Sequence, residues 1–198
     1  MNDAPYAMRE LFAEDMAGVH ETLYVADRLV RAFLPKLSQH LEEEGVDISM
    51  FATQWIMTVF ASTFPFDLVA RVWDSYLAEG RKVLFRVLLS LLEFAQPDLL
   101  HLDLEHILAY LRDVLPSKIH GPSIVKAALT IPLRKRHIQK YTHEWRAGKI
   151  HRRRRRSLFH ESLEAGIAIF PGKSTKHADR GSDEHTARKR WLTKRSTL

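Results

Sequence analysis

The chain has 198 residues, 45% hydrophobic and 27% charged, with no cysteine and a formal net charge of +6. This length and apolar content suit one sizeable buried core, with room for a tail. The lack of cysteine excludes disulfides and thiolate metal sites, and it fits an intracellular protein.

The charge is unevenly spread. Residues 1–133 carry 11 Lys+Arg against 18 Asp+Glu, a net of −7, while residues 134–198 carry 19 against 6, a net of +13. A mildly acidic domain followed by a basic tail is expected, so the overall charge says nothing about the partner of the globular part. No basic-then-apolar leader pattern is visible. No apolar run approaches the roughly 18 residues of a bilayer-spanning helix. A cytoplasmic protein, at most peripheral on membranes, is the expectation.

In chain order, Met8–Met16 predicts a short helix with Gly18 as a candidate break. His20–Leu34 predicts a helix with Val30 and Phe33 on its apolar side. Pro35 restarts the chain as Lys36–Glu44, whose Leu37 and Leu41 are one turn apart. The acids Glu42–Glu44, closed by Gly45, read as a solvated helix end, although acids there oppose the helix dipole. Asp47 or Ser49 can cap the next helix, about residues 50–61, which carries Phe51, Trp55, Thr58 and Val59. The chain is organised around Phe64–Gly80. There Leu68, Val69, Val72, Trp73, Tyr76 and Leu77 recur at helical spacing. Pro65 suits the first turn and Gly80 the residue that closes the helix. Arg71 and Asp74, three apart, can pair on its surface, and Trp73 is expected to be a core aromatic.

Lys82–Ala95 is apolar nearly all round, which predicts a central helix ended by Pro97. Arg86 interrupts it and is expected to snorkel or pair. Asp103 starts Leu104–Leu115, with Ile107, Leu108 and Leu111 on one face and Pro116 ending it. Ser123 is the expected cap of Ile124–Leu129. Leu133–Lys149 is basic, with Ile138, Tyr141 and Trp145 forming one stripe. From about Ser157 the composition predicts disorder, with one apolar patch at Ala165–Phe170. No repeat or strand-period segment is visible. An all-α bundle in residues 1–150 and a basic low-order tail in 151–198 follow.

Chemistry-bearing motifs are few. His101 and His106 are five apart and lack a third ligand, so they read as surface histidines rather than a metal site. GKST at Gly172–Thr175 resembles the end of a phosphate-binding loop but lacks the upstream glycine and the strand–loop–helix context. Gln54 reads as a structural hydrogen-bonding residue. Arg152, Arg153, Arg154, Arg155 and Arg156 form a run that can bind nucleic acid or anionic membrane, serve nuclear import, or simply be solvated. No cofactor and no metal are expected.

ATQW at Ala52–Trp55, FP at Phe64–Pro65, RVWDSYLAEG at Arg71–Gly80 and KVLFRVLLSLL at Lys82–Leu92 together resemble the TBC domain. That family comprises helical activators of Rab-type small GTPases. MRELFAEDMAGV at Met8–Val19 and LPKLSQHLEEEGVD at Leu34–Asp47 extend the resemblance to roughly residues 6–115. It covers the C-terminal half of the family's domain only. The resemblance implies a Rab-type GTPase as partner and GTPase activation as function. TBC domains are known for an arginine finger and the glutamine of a YxQ motif, both in the N-terminal half, and the sequence contains neither IxxDxxR nor YxQ. Arg9, Arg28, Arg31, Arg71, Arg81 and Arg86 do not stand in the finger context. No catalytic residue is therefore carried over. The matching residues Trp55, Pro65, Arg71, Trp73, Asp74, Glu79 and Gly80 are expected to be structural. The expectations left open are a truncated GTPase activator and a non-catalytic GTPase-binding or helical interaction module. In either case the basic tail is a candidate anionic contact.

Overall fold

The computed structural model describes residues 16–148, which are helical with no strand among them. The expected helix at Met8–Met16, the domain boundary near residue 150, Arg9, the Arg152–Arg156 run and Ala165–Phe170 lie outside the described residues.

Helix α1, Ala17–Phe33, is longer at its start than the spacing suggests. Gly18 lies in its first turn and is held rather than broken there: the Thr22 hydroxyl donates to the Gly18 carbonyl at 2.7 Å. Leu34 separates α1 from α2, Pro35–Glu43, with Pro35 in the first turn where its missing N–H costs no bond. The acids that close α2 are not merely solvated. Glu42 pairs with Arg31 at 3.2 Å, and Glu43 accepts from Gln39.

Helix α3, Ser49–Met57, begins where the Ser49 N–H donates to the Asp47 carboxylate at 2.8 Å. It stops at Met57, earlier than the expected Ala61. Val59 and Phe60 take φ of 48° and 65°, a left-handed turn that costs non-glycine residues roughly 1–2 kcal/mol each. The turn is offset by burial: Val59 and Phe60 are buried. Phe60 and Phe64 close on Trp55, with Trp55–Phe64 ring centroids 5.0 Å apart.

Helix α4, Phe66–Glu79, is preceded by Pro65, which sits just outside it with extended ψ rather than in its first turn. Leu68, Val72 and Tyr76, at strict four-residue steps, are fully buried. Gly80 closes α4 at φ 76° and ψ −157°, a conformation open only to glycine, and its N–H donates to the Tyr76 carbonyl. Helix α5, Lys82–Leu99, is the axis of the bundle and is buried on most of its circumference. It does not end at Pro97. That proline lies one turn from the C-terminus, so only one internal hydrogen bond is forfeited, and buried Leu99 holds the last turn on the core.

Asp103 caps α6, Leu104–Ala109, by accepting the His106 N–H at 3.0 Å. A π-helical turn at Tyr110–Val114 follows, then α7, Leu115–Lys118. Pro116 is expected from the sequence to end the helix. The wider π turn instead removes the carbonyl clash that a proline makes in a regular helix, and the chain continues helical past it. Helix α8, Gly121–Thr130, starts at Gly121–Pro122, before the expected Ser123 cap. The Ser123 hydroxyl bonds the His120 ring instead. Residues 135–148 form the last described helix.

Helices α4 and α8 pack on α5 and on each other, while α1 carries α2, α3 and α5 on its own buried side. Gly121 lets α8 approach α4: a Cβ there would lie 2.6 Å from the Leu68 backbone nitrogen. Of the motif residues, Trp55 packs on Phe60 and Phe64 in the segment between α3 and α4, and Glu79 and Gly80 sit where α4 passes into α5.

Candidate functional site

Trp55, 2% exposed, is the centre of an aromatic cluster with Phe51, Phe60 and Phe64. Trp73 is not a core aromatic. It is partly buried at the edge of the core, with its ring edge-on to Tyr76 at 6.1 Å. Tyr76 takes the interior place because it continues the four-residue steps of Leu68 and Val72, whereas Trp73 lies about 100° round the helix from Val72. Leu77, expected on the apolar stripe, is 45% exposed for the same reason. Arg71 and Asp74 are both exposed and do not pair with each other. Gln54 is exposed and its side chain makes no hydrogen bond among the described residues; only its backbone carbonyl is used, by Thr58.

Glu79 is the motif residue with the most partners. It accepts from Lys82 at 2.7 Å and from Arg86 at 3.0 Å. The hydrogen bond from Lys82 leads the causes that hold its carboxyl below the usual glutamate range, with both cations adding to it. Arg86 thus pairs, as expected, and the pair ties the end of α4 to the first turns of α5 around Gly80.

Two further charge sites appear in the fold. Glu21, 8% exposed, accepts from Arg146 at 3.0 Å and lies 4.0 Å from Arg81, whose guanidinium also donates to the Thr22 hydroxyl. Glu144 accepts from Arg28 at 3.3 Å and from the Tyr24 hydroxyl. Tyr24 meets the Trp145 ring at 5.4 Å, and Arg28 lies over Tyr141 at 5.8 Å. These contacts join α1 to residues 135–148. Glu21 has a sequence signal: it stands four residues before Val25 and eight before Leu29 on the buried stripe, and a carboxylate there needs a partner. Asp67 is the other residue that sequence reasoning misses. It accepts the Gly121 N–H at 3.1 Å, across a separation of 54 residues that no local pattern reveals.

Catalytic chemistry is thin on these surfaces. No group of three or more His, Cys, Asp or Glu placed to hold a metal occurs among the described residues. His101 is exposed, and His106 is taken up by Asp103 at 2.7 Å. That carboxylate raises the His106 pKa above the ordinary imidazole value. Asp98 is held low by Lys118 first and Tyr110 second, a cluster that fastens the π-helical segment to the end of α5. Of the arginines that fall within the described part of the motif region, five are engaged by carboxylates: Arg28, Arg31, Arg81, Arg86 and Arg112. Arg71 is the sixth and has no such partner among the described residues. No described helix is long and apolar enough to cross a membrane.

A family model described as the Rab-GTPase-TBC domain matches residues 4–100. The chain is 30% identical over 142 residues to the ecotropic viral integration site 5 protein of Mus musculus, an alignment covering 71% of this chain and 18% of that protein. It is 35% identical over 124 residues to the Rab GTPase-activating protein tbc-11 of Caenorhabditis elegans, covering 63% of this chain and 13% of that protein. It is 37% identical over 110 residues to the GTPase-activating protein GYP5 of Saccharomyces cerevisiae, covering 56% and 12%. The chain therefore spans less than a fifth of the length of these relatives.

Proposed function

The chain belongs, through residues 4–100, to the Rab-GTPase-TBC domain family, and on that premise we propose that it serves as a GTPase-binding portion of a Rab GTPase activator. It contributes the helical body that meets a Rab-type GTPase and supplies neither of the two catalytic fingers. The observation that carries the reading is the family match combined with the wording of the sequence, which contains no IxxDxxR and no YxQ. A trans-acting arginine is worth about 10³–10⁵ in GTP hydrolysis, because it neutralises charge on the transferred phosphoryl oxygens. Five of the motif-region arginines are engaged in internal ion pairs, which supports a structural use for them. Trp55 acts in this reading as the centre of the aromatic cluster before α4, Glu79 and Gly80 as the architecture of the α4–α5 turn, and Pro65, Arg71, Trp73 and Asp74 as outer, structural positions on or just before α4.

The test is single-turnover GTP hydrolysis across a panel of Rab proteins, with binding measured on the same samples. Binding to at least one GTP-loaded Rab, with hydrolysis accelerated less than about tenfold, is the expected result. Acceleration above about 10³, lost on Arg71→Ala, would show a finger in this chain and overturn the reading.

The charge contrast of −7 against +13 between the two parts of the chain favours one addition. Arg152, Arg153, Arg154, Arg155 and Arg156 supply an anionic-surface contact, to membrane or nucleic acid. Its mark is binding that falls steeply with salt and disappears when residues 151–198 are deleted.

A further inference from the structure

The last described helix, residues 135–148, is basic on the side it turns to solvent. Its apolar stripe is already used: Ile138 and Tyr141 pack on the core, and Trp145 meets the Tyr24 ring of α1. At about 100° per residue, Arg136, Gln139, Lys140 and His143 fall on the opposite arc, with Lys135 at its margin. All five are exposed. Lys135, Arg136 and Lys140 have no carboxylate partner among the described residues. Lys140 lies 5.4 Å from the Tyr141 ring, which leaves its charge unneutralised. Residues 131–143 contain no Asp or Glu. Glu144 is turned to α1, where it accepts from Arg28 and from the Tyr24 hydroxyl. The body differs. Residues 16–133 carry 10 Lys+Arg against 14 Asp+Glu, and seven of those ten cations pair with carboxylates. Unneutralised positive charge is therefore gathered on one helix face.

We propose that this basic arc docks the chain on an anionic lipid bilayer, its cations lying among the phosphates and carboxylates of the headgroups. The inference rests on the reading of the chain's basic end as an anionic-surface contact, and it places that contact on a helix held by the bundle. Two features select a bilayer over a nucleic acid. No large apolar or aromatic side chain is exposed on the arc, so an unpaired base has no ring to stack on. Glu144, its side chain one-third exposed, borders the arc. A duplex groove about 12 Å wide brings phosphates against the margins of an inserted helix, and so against that carboxylate. A flat surface touches only the crest, where Arg136 and Lys140 stand. The lack of apolar groups on the arc also sets the mode of binding, which is by charge without insertion into the acyl region. Each Lys or Arg near an anionic leaflet strengthens adsorption roughly fivefold. Binding is then salt-sensitive and set by the fraction of anionic lipid.

The experiment is co-sedimentation of the full chain with vesicles of phosphatidylcholine, alone or with about one-third phosphatidylserine, at roughly 0.1 M and 0.5 M salt. The wild type is expected to bind only the anionic vesicles and to be released at the higher salt. Arg136→Gln combined with Lys140→Gln is expected to weaken binding on the order of 25-fold. Arg112→Gln combined with Lys126→Gln removes the same charge elsewhere and is expected to change binding less than about threefold. Arg136→Lys keeps the charge without the guanidinium and is expected to bind as the wild type does. All these side chains are exposed, and an unchanged thermal transition shows that each variant is folded. A full chain with glutamine at all of positions 152–156 separates the helix from the arginine run. If it binds as the wild type does while the crest variant does not, the helix contact stands and the arginine-run reading falls. If it loses binding while the crest variant keeps it, the arginine-run reading stands and this proposal is overturned. A wild type that ignores anionic vesicles also overturns it, as does a control pair that loses as much as the crest pair. So does an oligonucleotide that strips the chain from the vesicles at equal phosphate concentration, which would make nucleic acid the occupant.

Discussion

Replacing Gly121 by alanine tests how the two halves of the described bundle are joined. The added Cβ would sit 2.6 Å from the Leu68 nitrogen, 2.7 Å from the Asp67 carboxylate and 2.8 Å from the Leu68 Cα. Two of these atoms are backbone of the first turn of α4 and cannot rotate away, so α8 must withdraw. Overpacking of this kind costs about 1–3 kcal/mol. Withdrawal also lengthens the 3.1 Å bond from the Gly121 N–H to Asp67, and a bond to a charged group is worth about 1.5–3 kcal/mol. Alanine returns up to about 1 kcal/mol through its better helix propensity. The net expectation is a loss of about 2–4 kcal/mol, a fall in melting temperature on the order of 10 °C for a domain of this size. Urea unfolding followed by circular dichroism measures it. Asp67→Asn is the companion, expected to cost about half as much because it keeps the close approach and only weakens the bond. A Gly121→Ala protein as stable as the wild type would refute the reasoning and place α8 farther from α4.

The two tryptophans separate core from edge: Trp55→Ala is expected to cost about 3–5 kcal/mol and Trp73→Ala less than half as much, by chemical denaturation. Glu79→Gln leaves Arg86 without its carboxylate, and solvent access to Glu79 limits the loss to about 1 kcal/mol, read from the denaturation midpoint. His106 should titrate above the ordinary histidine value by NMR. Because its folded pKa is raised, its contribution to the α6 start is complete below the ordinary histidine value of about 6.5 and fades as pH rises through the raised value. Asp103→Asn should lower the His106 midpoint toward that ordinary value.

What the sequence makes legible follows from how local the cause is. The all-α class, the central place of Lys82–Leu99 and the Gly80 stop depend on periodicity and on one residue's backbone freedom, and all are readable. Boundaries fail where a distant contact outweighs a local rule. Pro97 reads as a stop, but buried Leu99 carries the helix one turn further. Pro116 reads as a stop because a π turn has no sequence signature. Val59 and Phe60 take left-handed backbone that their side chains disfavour, for the sake of an aromatic cluster spread over residues 51–64. The motif residues are identifiable from the sequence, yet it misplaces Trp73 and the Arg71–Asp74 pair. A three- or four-residue step gives neighbours on a helix but not which of two adjacent stripes faces inward. Asp67 and Gly121 cannot be joined from the sequence at all, since their meeting is a property of the tertiary fold.

The family match ends at residue 100, but the packing does not. Ile107, Leu111, Leu115, Ile124, Val125 and Leu133 are buried among residues that precede the boundary. Ser90 on α5 donates from within the core to the Ile124 carbonyl. Residues 135–148 reach back to α1 through Arg146–Glu21 and Glu144–Arg28. Each large aliphatic side chain contributes about 1.5–3 kcal/mol by leaving water. Six of them supply on the order of 10 kcal/mol, as much as the whole stability of an ordinary domain. A chain cut after residue 102 is therefore expected to lose cooperative unfolding, whereas one cut after residue 148 should keep it. Differential scanning calorimetry on the two truncations decides this. A sharp transition in the shorter chain would mean that the matched segment folds alone and that α6 to α8 merely decorate it.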